Sequence, residues 1–187
     1  AGAACALEVV KSLSTLQLDA TIDFVNFSAE EIGLYGAAAY ADEFSSQLEN
    51  TELGIYFDGQ GDFLGRNNIH VIGEEGLVDI TRERCAAVGY DVNVQHHFTG
   101  LDQALLSSKG VPTLWFQRGP QLTWHTYADI TEDVSSAAMK ASISAAVEIV
   151  LYLEANPGCF PGGIPADLAK EVADQIMFLE CGQIVET

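Results

Sequence analysis

Basic residues are scarce in this chain: 8 lysines and arginines stand against 27 acids, for a formal net charge of −19. That balance argues against nucleic acid or an anionic membrane as a partner, because binding to phosphates by counterion release needs cationic side chains. Uninterrupted apolar runs of membrane length are lacking too, so the sequence predicts no spanning segment. The four cysteines, Cys5, Cys85, Cys159 and Cys181, include no Cys-x-x-Cys pair, which weighs against a thiolate zinc site. No charged start followed by an apolar core marks a signal peptide. The chain opens without Met on AGAACALEVV, which reads as a helix interior and suggests a start within a longer protein. Internal repeats and low-complexity stretches are missing as well.

What is present suits a folded domain. The 187 residues are enough for one sizeable core, and 48% of them are hydrophobic. The acidity favours high solubility, and an extracellular or periplasmic location is the expectation. Cys5 and Cys85 sit in apolar helical contexts and read as core residues. Cys159 and Cys181 flank a late segment and are the one candidate disulfide pair, which would itself favour an exported protein.

Taken in order, Ala4, Leu7, Val10 and Leu13 predict an amphipathic helix over 3–13. Ile22, Phe24, Val25 and Phe27 predict a largely buried strand over 21–27. A helix over 33–47 follows, with Leu34, Ala38, Ala41 and Phe44 on one face. ELGIYF at 52–57 is a second buried strand, Asn68–Ile72 a third, and 75–89 a helix with Gly89 just past its end. Tyr90–Val94 is strand-like, and His96 to Gly100 form a polar loop. A short helix spans 101–108, and VPTLWF is a strong strand. Asp133-Val134-Ser135 caps a helix running to about Glu154. After NPGCFPGGIP comes a last amphipathic helix with Leu168, Val172 and Ile176 on one face. Strands alternating with helices of this length predict an α/β fold, a three-layer sandwich around a mostly parallel, mixed sheet. Residues 1–156 form the main domain, and 157–187 a Pro/Gly linker and a helix packing on it.

The chemistry sits where apolar strands stop at acids. FVNFSAEEIGLYG ends a strand pattern in Glu30 and Glu31, and IYFDGQG ends another at Asp58. Ligands of open α/β sheets bind at the carboxyl ends of strands, so these acids can meet a loop histidine such as His125 there. Asp102 and Asp129 are further acids in or beside loops. Carboxylates with imidazole suit zinc, and a free carboxylate beside such a centre suits general-base work. The plainer readings are that Glu30 and Glu31 favour a helix N-terminus and that His125 is a surface-loop histidine. Trp115, Phe116 and Trp124 near the site edge suggest an apolar wall, although aromatic residues after a strand more often belong to the core.

FVNFSAEEIGLYGAAAYA, IYFDGQG, GLDQALLSSKGVPTLWF and WHTYADITEDVSSAAM together resemble the zinc-dependent aminopeptidases of metallopeptidase family twenty-eight, over about residues 1–155. The superfamily also holds glutaminyl cyclases and a non-catalytic receptor ectodomain. The resemblance implies Glu30 as general base and Glu31 as a zinc ligand. It makes Asp58 a ligand of a second zinc, has His125 share the zinc of Glu31, and leaves Asp129 to orient the loop. It implies a peptide with a free N-terminus as substrate and two zinc ions per complete site; oligomeric state is left open. The family's upstream His-x-Asp histidine and its bridging Asp have no counterpart in these residues, and Gln103 stands where the family often has His. His96 and His97 are the candidate substitutes. The expectation is therefore reduced or absent zinc in this chain alone. Glutaminyl cyclisation and a non-catalytic scaffold role are the rival readings.

Overall fold

The structure, a computed structural model, describes residues 1–96, 101–159, 164–165, 167–170 and 172. Its elements are α1 (Gly2–Leu13), α2 (Tyr35–Glu43), α3 (Ser45–Leu48), β1 (Gly54–Phe57), β2 (Arg66–Ile72), α4 (Glu75–Ala87), β3 (Asn93–His96), α5 (Asp102–Ser108), β4 (Thr113–Gly119) and α6 (Ser136–Ala155). Two short 3-10 turns, Glu30–Ile32 and Thr131–Asp133, join them.

The strands form one mixed sheet in the order β1-β4-β2-β3. β1 runs parallel to β4, with Tyr56 opposite Trp115, and β2 parallel to β3. The middle pair, β2 and β4, is antiparallel. Side chains alternate across the sheet as a period of two requires. Ile69, Val71, Leu114 and Phe116 point to one face, where they join Val9 and Leu13 of α1, Leu77 and Val78 of α4, and Ala145, Ala146 and Ile149 of α6. Ile72 points to the other face, with Leu34, Ala37 and Ala41 from α2 and its entry and Ala104 and Leu105 of α5. These two apolar clusters are the two interfaces of a three-layer α/β/α sandwich.

Local signals account for most boundaries. Ser135 caps α6, its side-chain oxygen accepting from the Ala138 N–H at 3.2 Å. Gly89 ends α4 in the left-handed conformation at φ +69°. α6 is long and apolar enough by composition to cross a membrane, and its buried Ala145, Ala146 and Ile149 pack against the sheet face that α1 and α4 share. Ile164 and Val172 are buried in the second cluster, where Leu168 and Ala169 also pack.

Several expectations are corrected. Residues 21–27 form no strand: among the described residues they pair with none, and most are exposed, with Ile22 at 37% and Phe24 at 42%. A β-branched, aromatic sequence makes a strand only against neighbours, and among the described residues β1 has a partner on one edge alone. In α1 the buried residues are Cys5, Val9 and Leu13, so the buried stripe is turned from the expected one and Leu7 is exposed. The helix expected over 33–47 breaks at Phe44 into α2 and α3. β3 begins at Asn93 rather than Tyr90, whose ring is buried and whose hydroxyl bonds Ser142 at 2.9 Å. Cys5 and Cys85 are buried as expected. Cys181, Ile176 and His97 lie outside the described residues.

Candidate active site

A cleft of about 250 Å³ opens beside the C-terminal end of β1. One wall is Val25, Asn26 and Phe27, the other Ile55, Tyr56, Phe57 and Asp58. Gly2, Ala3 and Ala6 of α1 also line it, as do Glu30, Glu31, Asp102 and Trp124. Four of the acids named from the sequence, Glu30, Glu31, Asp58 and Asp102, therefore share one cavity.

Backbone in unusual conformations presents these groups. Ala29 at φ +60°, Leu34 at +58° and His125 at +61° are the non-glycine residues with positive φ among those described. Each costs about 1–2 kcal/mol against the right-handed alternative, and strain of that kind gathers where geometry serves function. Ala29 and Leu34 bracket the turn bearing Glu30 and Glu31. His125 itself is bent so that its Nε2 lies 2.6 Å from Glu31 Oε1, with the Trp124 ring beside the imidazole at 4.2 Å. Glu31 and His125, 94 positions apart in the chain, thus meet in space.

Asp58 is held by its neighbours. Its Oδ1 accepts from the Gly59 N–H at 2.8 Å, and its carbonyl accepts from Trp115 Nε1 at 3.2 Å. Asp102 begins α5, is only 3% exposed, and its Oδ2 accepts from the Tyr56 hydroxyl at 3.1 Å. Its Oδ1 is buried with no hydrogen-bond partner, which is costly for a carboxylate.

The acids push one another. Burial raises the Glu30 carboxyl above the usual range, and Glu31, Asp102 and Asp58 raise it further, while His125 opposes them. Burial likewise raises Asp58 against the Gly59 hydrogen bond, with Glu31 adding to the rise. It raises Asp102 against the Tyr56 hydroxyl, with Asp58 adding to the rise. In such a cleft a cation would relieve both repulsion and desolvation.

Zinc is the cation whose donors these are, carboxylate oxygen and imidazole nitrogen. The Glu31–His125 pair fits as two donors to one ion. Among the described residues, however, no three His, Cys, Asp or Glu side chains converge as a metal cage. The donor chemistry fits and the set is incomplete.

The remaining candidates fall elsewhere. Asp129 is exposed on the His125 loop, its N–H bonded to the Thr126 carbonyl at 3.2 Å. His96 ends β3, which runs opposite to β1 and β4, and so lies at the far end of the sheet, where it meets Glu75 at 2.9 Å. Of the aromatics at the site edge, Trp124 is exposed and lines the cleft, while Phe116 is buried in the core. From the sequence Asp102 reads only as an acid beside a loop, and Tyr56 only as part of a buried strand. The signal for both was present, an acid opening a helix and a hydroxyl one residue pair before Asp58.

Known proteins share this sequence pattern and this fold. The sequence pattern of peptidase family M28 matches residues 1–150. Among solved structures, the chain resembles a zinc aminopeptidase from Bacillus subtilis at a TM-score of 0.70 and 19% identity, covering 87% of this chain and 43% of that one. An aminopeptidase from Aneurinibacillus sp. strain AM-1 gives 0.69 and 23%, covering 81% and 37%. A peptidase M28 precursor from Shewanella amazonensis gives 0.69 and 20%, covering 88% and 38%. The chain thus spans less than half the length of each of these structures. Curated protein sequences gave no match.

Proposed function

Because the chain belongs to peptidase family M28, we propose that its acidic cleft is part of the catalytic face of a metallo-aminopeptidase, acting on peptides with a free N-terminus. The observation that carries this reading is the meeting of Glu30, Glu31 and Asp58 at one cleft with His125 bonded to Glu31 at its rim.

Glu31 and His125 would hold one zinc ion and Asp58 would contribute to a second, with further donors from outside these residues. Bound zinc supplies Lewis acidity, polarising a carbonyl and acidifying water. Glu30 is the proton carrier. Its carboxyl is raised by burial and by three neighbouring acids, which brings its proton affinity closer to neutrality, where a group can both accept and return a proton. It would take a proton from the attacking water and deliver it to the leaving amine. Asp129 would steady the loop that carries His125. The negative lining of the cleft would attract the substrate's α-ammonium group and disfavour blocked N-termini. An exported protein remains part of this proposal, on the strength of the acidic composition.

The test is a Glu30→Gln change in the protein at the full length of its relatives. Turnover of an aminoacyl amide should fall by about 10²–10⁴-fold while zinc content stays unchanged. Wild-type turnover in that variant would remove Glu30 from the role of base. Ammonia release from an N-terminal Gln peptide without chain cleavage would replace the peptidase with a cyclase, and a full-length protein that holds no zinc would support the scaffold reading.

A further inference from the structure

Resting on the peptidase reading above, we infer that Gln117 is a specificity-determining residue, an oriented hydrogen-bond donor that selects substrates whose first residue is asparagine or glutamine.

Gln117 stands beside the acids. Phe57 lies opposite Phe116, and the Asp58 N–H extends that ladder to the Phe116 carbonyl at 3.3 Å. The Asp58 backbone is therefore next to that of Gln117, about 4.8 Å away at the usual spacing of paired strands. Ile55 and Phe57 pack into the first apolar cluster with Leu114 and Phe116. Alternation then turns Asp58, Trp115 and Gln117 together to the opposite face. They stand at the carboxyl ends of β1 and β4, where α/β sheets bind their ligands. Trp115 supplies an aromatic floor: its indole stacks on His70 at 4.4 Å and donates to the Asp58 carbonyl at 3.2 Å.

A row of amides aims Gln117. Asn93 Nδ2 donates to Asn68 Oδ1 at 3.5 Å, and Asn68 Nδ2 donates to Gln117 Oε1 at 3.1 Å. The three residues are paired in register across β3, β2 and β4. The direction of the row is fixed by backbone. Asn68 Nδ2 also donates to the Arg66 carbonyl at 3.3 Å, and a carbonyl can only accept. Asn68 therefore keeps its nitrogen on that side, and Gln117 must meet it with its oxygen. The Gln117 Nε2 group is left as the donating end of the row, and no hydrogen bond among the described residues uses it. It lies over Gly119, where a Cβ would come within 2.7 Å of it, so it is turned toward the end of β4.

The chemistry of the ligand follows from that donor. A fixed N–H calls for an oxygen acceptor on the bound side chain, and an apolar side chain of the same shape would leave it unpaired. A carboxylate would accept the bond but would also face Glu30, Glu31 and Asp58, whose like charges repel it. A neutral amide satisfies the donor without that repulsion, and its methylene stem would lie on the Trp115 ring. Asparagine and glutamine meet both conditions.

Side-chain amide NMR of the 187-residue chain, titrated with asparagine amide and with its isostere leucine amide, tests this without zinc or turnover. The Gln117 amide signal should move with asparagine amide, which should bind about tenfold more tightly, as one well-placed hydrogen bond gives. Gln117→Leu should bind the two alike. Asn68→Ala, which frees the Gln117 amide to turn, should shrink the preference while the backbone spectrum of the sheet persists. Equal affinities in the parent chain, a preference untouched by Asn68→Ala, or no movement of the Gln117 signal would overturn the proposal. Selective binding alongside an absence of hydrolysis in the longer protein would leave the role of Gln117 standing and remove the peptidase reading alone.

Discussion

The two halves of this sheet behave differently. Around β2 and β4 each strand has neighbours on both edges and helices on both faces, and Ile69, Val71, Leu114 and Phe116 are fully buried. Around β1 the apolar sequence is just as strong, yet Ile22 and Phe24 face solvent and, among the described residues, β1 is paired on one side only. The difference shows that strand sequence is a request for neighbours. Where they are supplied the request becomes structure, and where they are not the same residues stay unpaired. The acidic cleft lies on that less-paired half.

The sharpest way to break this contrast is to remove one aromatic ring from each side. Phe116→Ala should cost about 3–5 kcal/mol, the usual penalty for deleting a fully buried ring, whereas Phe24→Ala should stay within about 0.5 kcal/mol, as at surface positions generally. Urea unfolding of the two variants measures both. Equal losses would mean that the 21–27 segment is packed as firmly as the core.

An intermediate effect is expected from strain on the catalytic half. Ala29 holds φ +60° at the start of the Glu30–Ile32 turn, a conformation glycine adopts freely. Ala29→Gly should therefore be neutral or stabilising by up to about 1 kcal/mol in the same assay, against the destabilisation of similar size that glycine causes inside a helix.

A smaller and more diagnostic effect follows from charge. The folded-state carboxyls of Glu30, Asp58 and Asp102 all lie above their ordinary values, chiefly through burial. The folded protein therefore binds more protons than the unfolded chain in the window just above the ordinary carboxylate range. These three groups therefore contribute stability that is fully present below that window and is lost as pH rises through it. Asp102→Asn keeps an acceptor for the Tyr56 hydroxyl and removes the buried charge. It should raise the melting temperature at neutral pH and flatten its decline between mildly acidic and neutral conditions. A steeper decline would mean that the Asp102 charge is stabilised in the fold.

Much of this was readable in advance. The three-layer α/β architecture followed from alternating strand and helix patterns, and Glu30, Glu31, Asp58 and His125 followed from acids at strand ends and the motif resemblance. What escaped the sequence depends on distance through space. The 21–27 pattern of Ile22, Phe24 and Phe27 is a good strand pattern whose partner is not among the described residues. Tyr56 and Asp102 are separated by 46 positions and meet only because α5 packs beside β1. Trp124, an aromatic that suits a core, is held at the cleft by the loop that bends at His125.

The central claim is that Glu31 and His125 are two ligands of one zinc in a peptidase centre. It is tested most directly by the zinc content of the protein at the length of its relatives, beside the same protein carrying His125→Ala. The account predicts zinc in the parent and a loss of affinity of at least about tenfold in the variant, as for disruption of a ligand set. A parent that retains no zinc, or a His125→Ala variant that binds it as tightly as the parent, would contradict the account.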